Sequence, residues 1–536
     1  MDLQLIAKIA AFVLYLGMMI FIGLRSASKN TSSADFFLGG RKVGPWVSAL
    51  SAEASDSSAW LLMGLPGLCY LGGVKEAFWT AIGLIIGTYL SWLFVAKPLR
   101  KCSITFGDSI TIPEFLSNRF NDKSHVLSSV SVLFIVLFFT IYTASGFVAC
   151  AKLFNSVFGL NYYAGLAIGL VVILCYTVTG GYTAVCTTDF VQGMLIVIAF
   201  VISAIIGVIA LGGPSQAIEA VKGFNAQALA GAFGEAIQGK FVSNSSYSAM
   251  GIVSALAWGL GYFGMPHIIV RFMGIRSNAE VSKARRIGII WMIISYVGTF
   301  LIGTLGTVYL IKAVGPDGLK FAAHDGQTLL GPGTENVVIE GIANLFKGDA
   351  ETVFSATMLK MFPAFIAGIF LCAILAASMS TADSQLLAAS SAVGQDIFKG
   401  LIKKDAAEKD VMTVSRVTVF LIALIALFLS LNPNSSIFNL VSFAWSGFGG
   451  TFGPLVLLAL YWKRTTAPGA IAGLVCGGIV DVVWHYIPSS VHPIFGLYEI
   501  LPAFVVCLLV TIIVSLCTKA DTEVMAKFDA YKKLAD

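Results

Sequence analysis

The sequence predicts an all-α polytopic membrane protein. Hydrophobic residues make up 57% of its 536 residues and charged residues only 12%, and its mean hydropathy is +0.86. This balance is far from that of a soluble globular protein. Apolar runs of about 20 residues, the length at which a helix crosses a bilayer, recur about 13 times along almost the whole chain. We therefore expect about 13 transmembrane helices.

The apolar runs define the predicted spans, which we number in chain order. They cover residues 3–24, 46–72, 77–97, 126–152, 162–180, 187–211, 248–273, 287–312, 362–386, 413–431, 437–461, 467–487 and 498–518. No positively charged segment precedes the first run and no small-residue cleavage pattern follows it. We therefore expect a retained helix there rather than a signal peptide.

Three long segments lie outside the spans. Residues 213–247 and 315–361 are rich in Gly, Ala and polar residues, and we expect them to carry short helices that act as lids. The charged C-terminal segment, 519–536, is predicted to be a solvated cytoplasmic tail. The remaining residues, 1–518, then form a single transmembrane domain.

Basic residues are concentrated on one side of the predicted membrane. Roughly 25 of the 34 Lys and Arg fall in the loops after odd-numbered spans and in the C-terminal tail. The positive-inside rule makes this side cytoplasmic and places the N-terminus outside. The net charge of +5 therefore requires no nucleic-acid partner.

Motifs for metal and nucleotide chemistry are absent from the sequence. The nine cysteines contain no CxxC pair and the five histidines form neither HxxxH nor HExxH, which excludes the usual zinc sites and membrane metalloproteases. No GxxxxGK[ST] phosphate-binding loop occurs. If the protein is a transporter, an ion gradient and not ATP hydrolysis on this chain must drive it.

Two spans contain residues that interrupt membrane helices. Gly, Ser and Pro surround residues 54–58 of the second span, and the seventh is interrupted around 259–266. The two breaks are five spans apart, which is the offset of an inverted repeat with a binding site between its broken helices. Spans 2–6, about 46–211, and spans 7–11, about 248–461, would be the two copies.

Acidic residues within the spans are candidate functional groups, because a carboxylate at membrane depth is costly unless it is compensated. Asp56 lies at the first break, where it either bonds to freed backbone N–H groups or attracts a cation. Glu53, one turn earlier, either faces a polar interior or pairs with a cation. Asp189, at the start of span six, either caps that helix or lines an exit path for a cation.

Oxygen atoms that suit a hard cation occur near these acids. The unwound backbone offers the carbonyls of Ala54 and Ser57, and span nine offers the hydroxyls of Ser380 and Thr381, one turn from Ala377. Such hydroxyls usually bond back to the preceding turn of their own helix. They complete an oxygen cage only if span nine faces the break in span two.

Aromatic residues cluster at the same interruptions. Trp60, Tyr142, Trp258, Tyr262 and Phe263 lie at or near a break or a stretch of small residues. Aromatic rings beside a few polar groups are typical of a pocket for a small solute. Together with Asp56, they predict a solute site between the two breaks.

The chain resembles the sodium:solute symporter family in several segments. In order from residue 36 to residue 464, these are FFLGGRKVGPWVSALSAEASDSSAWLLMGLPG, LFFTIYTASG, GGYTAV followed by TDFVQ, WGLGYFGMPHIIVRFM, ILAASMSTADSQLL and FAWSGFGGTFGPLVLLALYWKR. The resemblance implies a thirteen-helix protein with a leucine-transporter-like 5+5 inverted repeat in which helices 2 and 7 are broken.

The resemblance also implies roles for individual residues. It implies a Na⁺ site made of the Ala54, Ser57 and Ala377 carbonyls and the Ser380 and Thr381 hydroxyls. Asp56 would be the acid essential for coupling, and Asp189 a cytoplasmic-side acid in the Na⁺ pathway. The implied solute pocket comprises Ser58, Ala59, Trp60, Tyr142, Trp258, Tyr262 and Pro266.

Several residues depart from the family pattern. Glu53 and Ala59 stand where glycine is usual, Ser57 stands where methionine is usual, and segment 315–361 is longer. A carbonyl ligand survives the change at Ser57. The changes at Glu53 and Ala59 bear instead on solute preference and ion stoichiometry.

The resemblance implies Na⁺-driven import of L-proline by alternating access across a bacterial cytoplasmic membrane. Na⁺, the solute and the lipid bilayer are the implied partners, with no enzymatic activity and no obligatory protein partner. Two alternatives remain open from the sequence: a symporter for another amino acid, a carboxylate or pantothenate, and a sensor that reuses the transporter fold.

Overall fold

The computed structural model describes residues 2–27, 32–72, 74–219, 234–237, 240–243, 248–314, 321–323, 337–339 and 349–533. Within these ranges the chain is almost entirely helical. The α-helices are α1 Leu3–Ala27, α2 Ser33–Leu38, α3 Pro45–Ala59, α4 Leu65–Gly72, α5 Val74–Ser91, α6 Lys97–Thr105, α7 Ile112–Phe120, α8 Val126–Phe158, α9 Tyr162–Ala210, α10 Ala249–Ala257, α11 Pro266–Gly274, α12 Asn278–Leu301, α13 Thr307–Val314, α14 Val353–Met361, α15 Ala364–Ser391, α16 Glu408–Leu429, α17 Ile437–Tyr461, α18 Ala467–Tyr486, α19 Ile500–Cys517 and α20 Thr522–Lys533.

Short turns of other helix types connect some of these helices. π-helical turns occur at Trp60–Gly64, Trp92–Ala96, Ile302–Gly306 and Ala392–Ile402. A 3₁₀ stretch, Trp258–Phe263, follows α10. The first and last of these five lie in spans where the sequence predicts a break, and π-turns in particular are frequent at functional sites.

The two segments expected to carry short helices contain both helix and hairpin where they are described. Residues 214–219 of the first segment are helical. The first contains an antiparallel hairpin of β1 Gly234–Ile237 and β2 Lys240–Ser243. The second contains a hairpin of β3 Phe321–Ala323 and β4 Val337–Ile339, followed by the short helix α14. Short helices are therefore the wrong prediction for the hairpins, and most other residues of the two segments lie outside the described ranges.

Every predicted span falls on a helix. Ten described helical runs are long and apolar enough to cross a membrane, and the bent pair Ala249–Phe263 and Pro266–Gly274 makes an eleventh. Predicted span 46–72 corresponds to α3 and α4 with the π-turn between them. Span 162–180 corresponds to the first part of α9, which is apolar over Tyr162–Cys175.

Both predicted breaks are present. Ser58 has φ 37° and ψ −179° at the end of α3, which interrupts the helix where the sequence places the first break. The seventh span changes to the 3₁₀ stretch, bends by 44° and resumes as α11 at Pro266. Proline suits this first helical position because its missing N–H would have had no intrahelical partner.

Spans five and six are continuous apart from one residue. Gly181 has φ 63° and ψ −177°, a conformation that glycine adopts without steric cost. The residues after it, 182–186, are helical, whereas the sequence predicts a short turn there. This difference changes the interpretation of Asp189, because that residue then lies inside a helix and not at its start.

Two long helices form the centre of the molecule. In the most apolar stretch of α15 and its π-helical extension, 78% of the residues are buried. In the corresponding stretch of α17 the share is 89%. The corresponding share is 22% in α1, which therefore has most of its surface free to face lipid. Helix α15 packs against α1, α3, α8 and α9, so it lies directly beside the first break.

The described part of the C-terminal tail is packed on one face and exposed on the other. Val524, Phe528 and Tyr531 of α20 are buried, and the guanidinium of Arg119 lies 4.4 Å from the Phe528 ring centroid. The side-chain amide of Asn121 donates to Asp521 over 2.7 Å, and this hydrogen bond lowers the pKa of Asp521. One apolar face of α20 covers α6 and α7, whereas most of the other described tail residues are exposed, as expected for a solvated segment.

Candidate transport site

The first break exposes backbone around Ser58. The Trp60 N–H donates to the Ser58 hydroxyl over 3.1 Å and also contacts the Ser57 carbonyl. The Ser57 hydroxyl bonds back to the carbonyl of Glu53 over 2.7 Å. A positive φ is costly for a serine, so these local bonds help to hold a conformation in which the helix no longer satisfies its own carbonyls.

Span nine supplies hydroxyls to this break. The Ser380 hydroxyl lies 2.9 Å from the Ala54 carbonyl oxygen and 3.2 Å from that of Ala377. The Thr381 hydroxyl is buried and has no hydrogen-bond partner among the residues that the structure describes. Three predicted ligands therefore meet, and a fourth offers an unused oxygen close by in sequence. For Ser57, the observed partner of the carbonyl is the Trp60 N–H.

Asp56 joins the two breaks. Its carboxylate Oδ2 accepts a hydrogen bond from the hydroxyl of Tyr262, which lies in the 3₁₀ stretch of span seven. The Tyr142 hydroxyl lies 3.4 Å from the Asp56 backbone carbonyl. The described partner of the Asp56 carboxylate is thus a tyrosine from the second repeat, and not the freed backbone N–H groups considered from the sequence.

Two of the aromatic residues expected at the solute pocket stack on each other. Trp60 and Trp258 lie with ring centroids 5.4 Å apart at an interplanar angle of 24°. Phe438, at the start of α17, lies 5.5 Å from Trp258 and 6.2 Å from Trp60. Ser58 and Ala59, immediately before Trp60, are both buried. These residues bring the two breaks into direct contact.

A cleft adjoins this region on the side of α11. It is lined by residues that include Pro266, Val270, Arg271, Ser384 and Ser391. Pro266 is thus the one predicted pocket residue that lines the cleft. None of the predicted aromatic pocket residues is among its lining residues.

Asp189 lies in a buried polar network. Its Oδ2 accepts hydrogen bonds from Ser51 over 2.6 Å and from Ser55 over 3.1 Å, two serines one turn apart on α3. The guanidinium of Arg271 lies 3.3 Å from the same oxygen, and both side chains are buried. Asp189 stands two turns beyond Gly181, inside continuous helix, so the interpretation as a helix cap is wrong.

Arg271 is the residue of this network that the sequence reasoning missed. Counted by position, it is one of the basic residues of the cytoplasmic side, but its side chain is 1% exposed. It also donates to Ser384 of α15 and to the carbonyl of His267. The available signal was an arginine inside the apolar run PHIIVRFM, because a cation at membrane depth requires a partner.

Glu53 and a further buried acid, Asp383, have separate surroundings. Glu53 is buried and accepts a 2.9 Å hydrogen bond from the indole of Trp92, so its partner is neutral, which agrees with the polar-interior alternative. A Cβ at Gly288 would come within 2.6 Å of this carboxylate, so the glycine makes room for it. Asp383 is buried and lies 3.3 Å from the Ser384 hydroxyl, which places it beside the Arg271 network.

Comparison with known proteins identifies the family. The model of the sodium:solute symporter family matches residues 36–477. The chain belongs to the sodium:solute symporter family. Sodium/proline symporters of Staphylococcus aureus strains JH9 and JH1 are each 42% identical over 524 residues, which cover 96% of this chain and 93% of theirs. The protein is therefore a Na⁺-coupled solute transporter of the membrane and not an enzyme.

Solved structures confirm the predicted fold. A Na⁺-coupled sialic acid symporter in a substrate-bound outward-open state aligns with TM-score 0.72 at 19% identity, covering 96% of this chain and 98% of that one. The nucleobase-cation-symport-1 family transporter MHP1, in a closed conformation, aligns with TM-score 0.52 at 12% identity, covering 94% and 99%. The symporter has the leucine-transporter-like inverted repeat with broken helices 2 and 7.

Proposed function

We propose that this symporter imports L-proline together with Na⁺ by alternating access. The hydrogen bond between Asp56 and Tyr262 is the observation that carries the mechanism, because it links the break beside the candidate Na⁺ ligands to the break beside the candidate solute pocket. Two ligands that favour the same arrangement of these breaks raise each other's affinity. Proline is proposed because the sodium/proline symporters are similar over almost their whole length.

The proposed Na⁺ site consists of backbone carbonyls from the first break and from span nine, with two hydroxyls from span nine. The carbonyls belong to Ala54, Ser57 and Ala377, and the hydroxyls to Ser380 and Thr381. The 2.9 Å approach of Ser380 to Ala54 supports this set, as does the unused hydroxyl of Thr381. Oxygen-only coordination is what a hard cation prefers. Asp56 would supply the field that draws the ion in.

The proposed solute pocket lies between the two breaks. Its residues would be Ser58, Ala59, Trp60, Tyr142, Trp258 and Tyr262, with Pro266 at the adjoining cleft. Apolar rings around a few hydroxyl and carboxyl groups suit a compact zwitterion. In the present arrangement Trp60 and Trp258 stack on each other, so solute entry would require these rings to separate.

The proposed pathway beyond the Na⁺ site runs past Asp189. This acid pairs with Arg271 across the two repeats, and the serines of α3 and α15 complete the network. A buried pair becomes strongly unfavourable when one partner is removed. An ion moving past Asp189 would compete with the guanidinium for the carboxylate, which offers a way for ion release to loosen the contact between the repeats.

The proposed topology places the N-terminus outside and the tail, 519–536, in the cytoplasm of a bacterial cell, with 1–518 as one domain. Protease treatment of right-side-out vesicles that carry an epitope tag at the C-terminus tests it. The tag should survive until the vesicles are permeabilised. Digestion in intact vesicles would reverse the proposed orientation.

Uptake by the purified protein in proteoliposomes tests the proposed function directly. Labelled proline should accumulate only with an inward Na⁺ gradient, and unlabelled proline should compete better than other amino acids, carboxylates or pantothenate. Accumulation that is independent of Na⁺ would contradict the proposed coupling. Stronger competition by another solute would replace proline as the substrate and leave the symport mechanism in place.

A further inference from the structure

Trp445 of α17 contacts the second break and is not one of the proposed pocket residues. Its side chain is 2% exposed, and its indole N–H donates to the backbone carbonyl of Trp258 over 2.8 Å. Trp258 is the first residue of the 3₁₀ stretch, where the α-helical pattern of hydrogen bonds ends. A carbonyl freed by a break at membrane depth needs a partner from elsewhere, and Trp445 supplies one.

The ring of Trp445 also supports Tyr262. The two rings meet edge to face, with centroids 5.1 Å apart at 80°, a favourable geometry for aromatic pairs. Gly261 lies against the indole of Trp445, and an added Cβ there would come within 2.1 Å of the indole nitrogen. The missing side chain at Gly261 therefore allows the indole to reach the backbone. Because Tyr262 donates to Asp56, the contact extends from α17 to the first break.

Further aromatic rings from outside the predicted pocket complete this side of the stack. Phe438, two turns before Trp445 on α17, touches both Trp258 and Trp60. Tyr498, which precedes α19, stacks on Trp258 at 5.1 Å and donates from its hydroxyl to the Ser442 carbonyl over 2.7 Å. Trp258 is thus fixed on its backbone by Trp445 and on its ring by its neighbours.

We infer that Trp445 is a positioning residue for solute binding. Its N–H fixes the carbonyl at the start of the second break, and its ring fixes Tyr262, so that the two residues of span seven are held in place for the solute. This inference rests on the proposed role of Trp258 and Tyr262 in the solute pocket. It assigns to α17 a part in solute affinity that is separate from Na⁺ binding, because Trp445 makes no described contact with the candidate Na⁺ ligands.

The substitution Trp445→Phe tests the inference, since it keeps an aromatic ring and removes the N–H donor. We expect the KM for the solute to rise about 5- to 20-fold, the range for a lost buried hydrogen bond. The Na⁺ concentration that gives half-maximal uptake at saturating solute should stay within about twofold. A purely structural lesion would instead lower the amount of active protein and leave both constants unchanged.

The substitution Trp291→Phe is the matched control. The Trp291 indole is also buried and donates over 2.9 Å to a backbone carbonyl, that of Gly193. Gly193 lies in regular helix, so its carbonyl retains an intrahelical partner. We expect the KM for the solute to change by less than about twofold in this variant. An equal rise in both variants would overturn the inference.

A conservative variant keeps the test decisive if Trp445→Phe folds poorly. Trp445→His retains a ring N–H and should transport with a KM between those of the wild type and Trp445→Phe. If the KM of Trp445→His were no lower than that of Trp445→Leu, the role of the N–H would be overturned. If the wild type prefers a solute other than proline, the same KM comparison with that solute tests Trp445, so the two proposals fail separately.

Discussion

The interruptions of the two broken helices are stabilised by different contacts. The first break is a single residue, Ser58, and the polar groups that stabilise it belong largely to its own segment. The second extends over the 3₁₀ stretch Trp258–Phe263 and contains no acid. There, a Cβ at Gly259 would come within 2.3 Å of the Gly83 carbonyl, and one at Gly264 within 2.4 Å of the Gly453 N–H nitrogen.

This difference favours separate roles for the two breaks, with Na⁺ at the first and the solute at the second. The first break combines an acid with free oxygens, which suits a cation. The second is kept open by neighbouring backbone and by Trp445, and presents aromatic rings, which suits an organic solute. With separate roles, substitutions at the first break should change the Na⁺ requirement, and those at the second should change solute affinity.

The largest effect is expected for Asp56→Asn, which removes the charge at the first break. Na⁺-stimulated uptake in proteoliposomes should fall by about 100-fold or more, because the neutral amide no longer attracts the cation that the proposed site binds. Asp481→Asn is the control, since Asp481 is equally buried but lies outside both repeats. Unchanged Na⁺ dependence in Asp56→Asn would remove the ionic role of the first break.

Trp258→Leu should have the next largest effect, on the solute. Loss of the stack with Trp60 should raise the KM for proline by about tenfold, from the worth of an aromatic pair plus lost contact area. The half-saturating Na⁺ concentration should change far less. Trp484→Leu, at an indole outside the repeats that donates to Leu497, serves as the control. Equal shifts in both constants for Trp258→Leu would contradict separate roles for the two breaks.

A smaller effect, on the Na⁺ requirement and not on the solute KM, is expected for Thr381→Val. This substitution keeps the shape of the side chain and removes one candidate Na⁺ ligand, so the half-saturating Na⁺ concentration should rise about 5- to 10-fold with little change in solute KM at saturating Na⁺. Thr177→Val removes a hydroxyl that bonds back to Ile173 over 2.6 Å, and should leave both constants unchanged. A normal Na⁺ requirement in Thr381→Val would exclude this hydroxyl from the site.

The smallest effect is expected for Glu53→Gln. The amide oxygen can still accept the hydrogen bond from Trp92, so uptake should remain within about threefold of the wild type. Glu53→Leu leaves the indole N–H unpaired and should lower the thermal unfolding midpoint of the purified protein more than the glutamine variant does. If Glu53→Gln lost as much Na⁺-stimulated uptake as Asp56→Asn, the ionic role would have to include both acids.

The sequence predicts the first break better than the second. Asp56, Ala54, Ser380 and Thr381 could be found from residue types alone, because acids and hydroxyls within apolar runs are conspicuous. The contact of Ser380 with Ala54 agrees with that expectation. Trp445 could not be found in this way, since a tryptophan in an apolar helix is most often a packing residue.

Other parts of the site depend on which helices are neighbours. Arg271 lies near the end of the seventh predicted span, just before a basic loop, so its sequence position does not identify its partner. Its burial against Asp189 follows from the packing of both α11 and α9 on α3. The neutral partner of Glu53 is likewise supplied by Trp92, which is 39 residues away in the chain.

Composition, apolar run length and the positions of Gly, Ser and Pro by themselves determined that the chain is a helical membrane protein with two broken spans. These properties are local, because each helix satisfies its own backbone and each break lies where small residues interrupt an apolar run. Only the tertiary structure decided which side chains meet at the breaks. The bonds from Tyr262 to Asp56, from Arg271 to Asp189 and from Trp445 to Trp258 join residues 82 to 206 positions apart, and no local pattern fixes such distances.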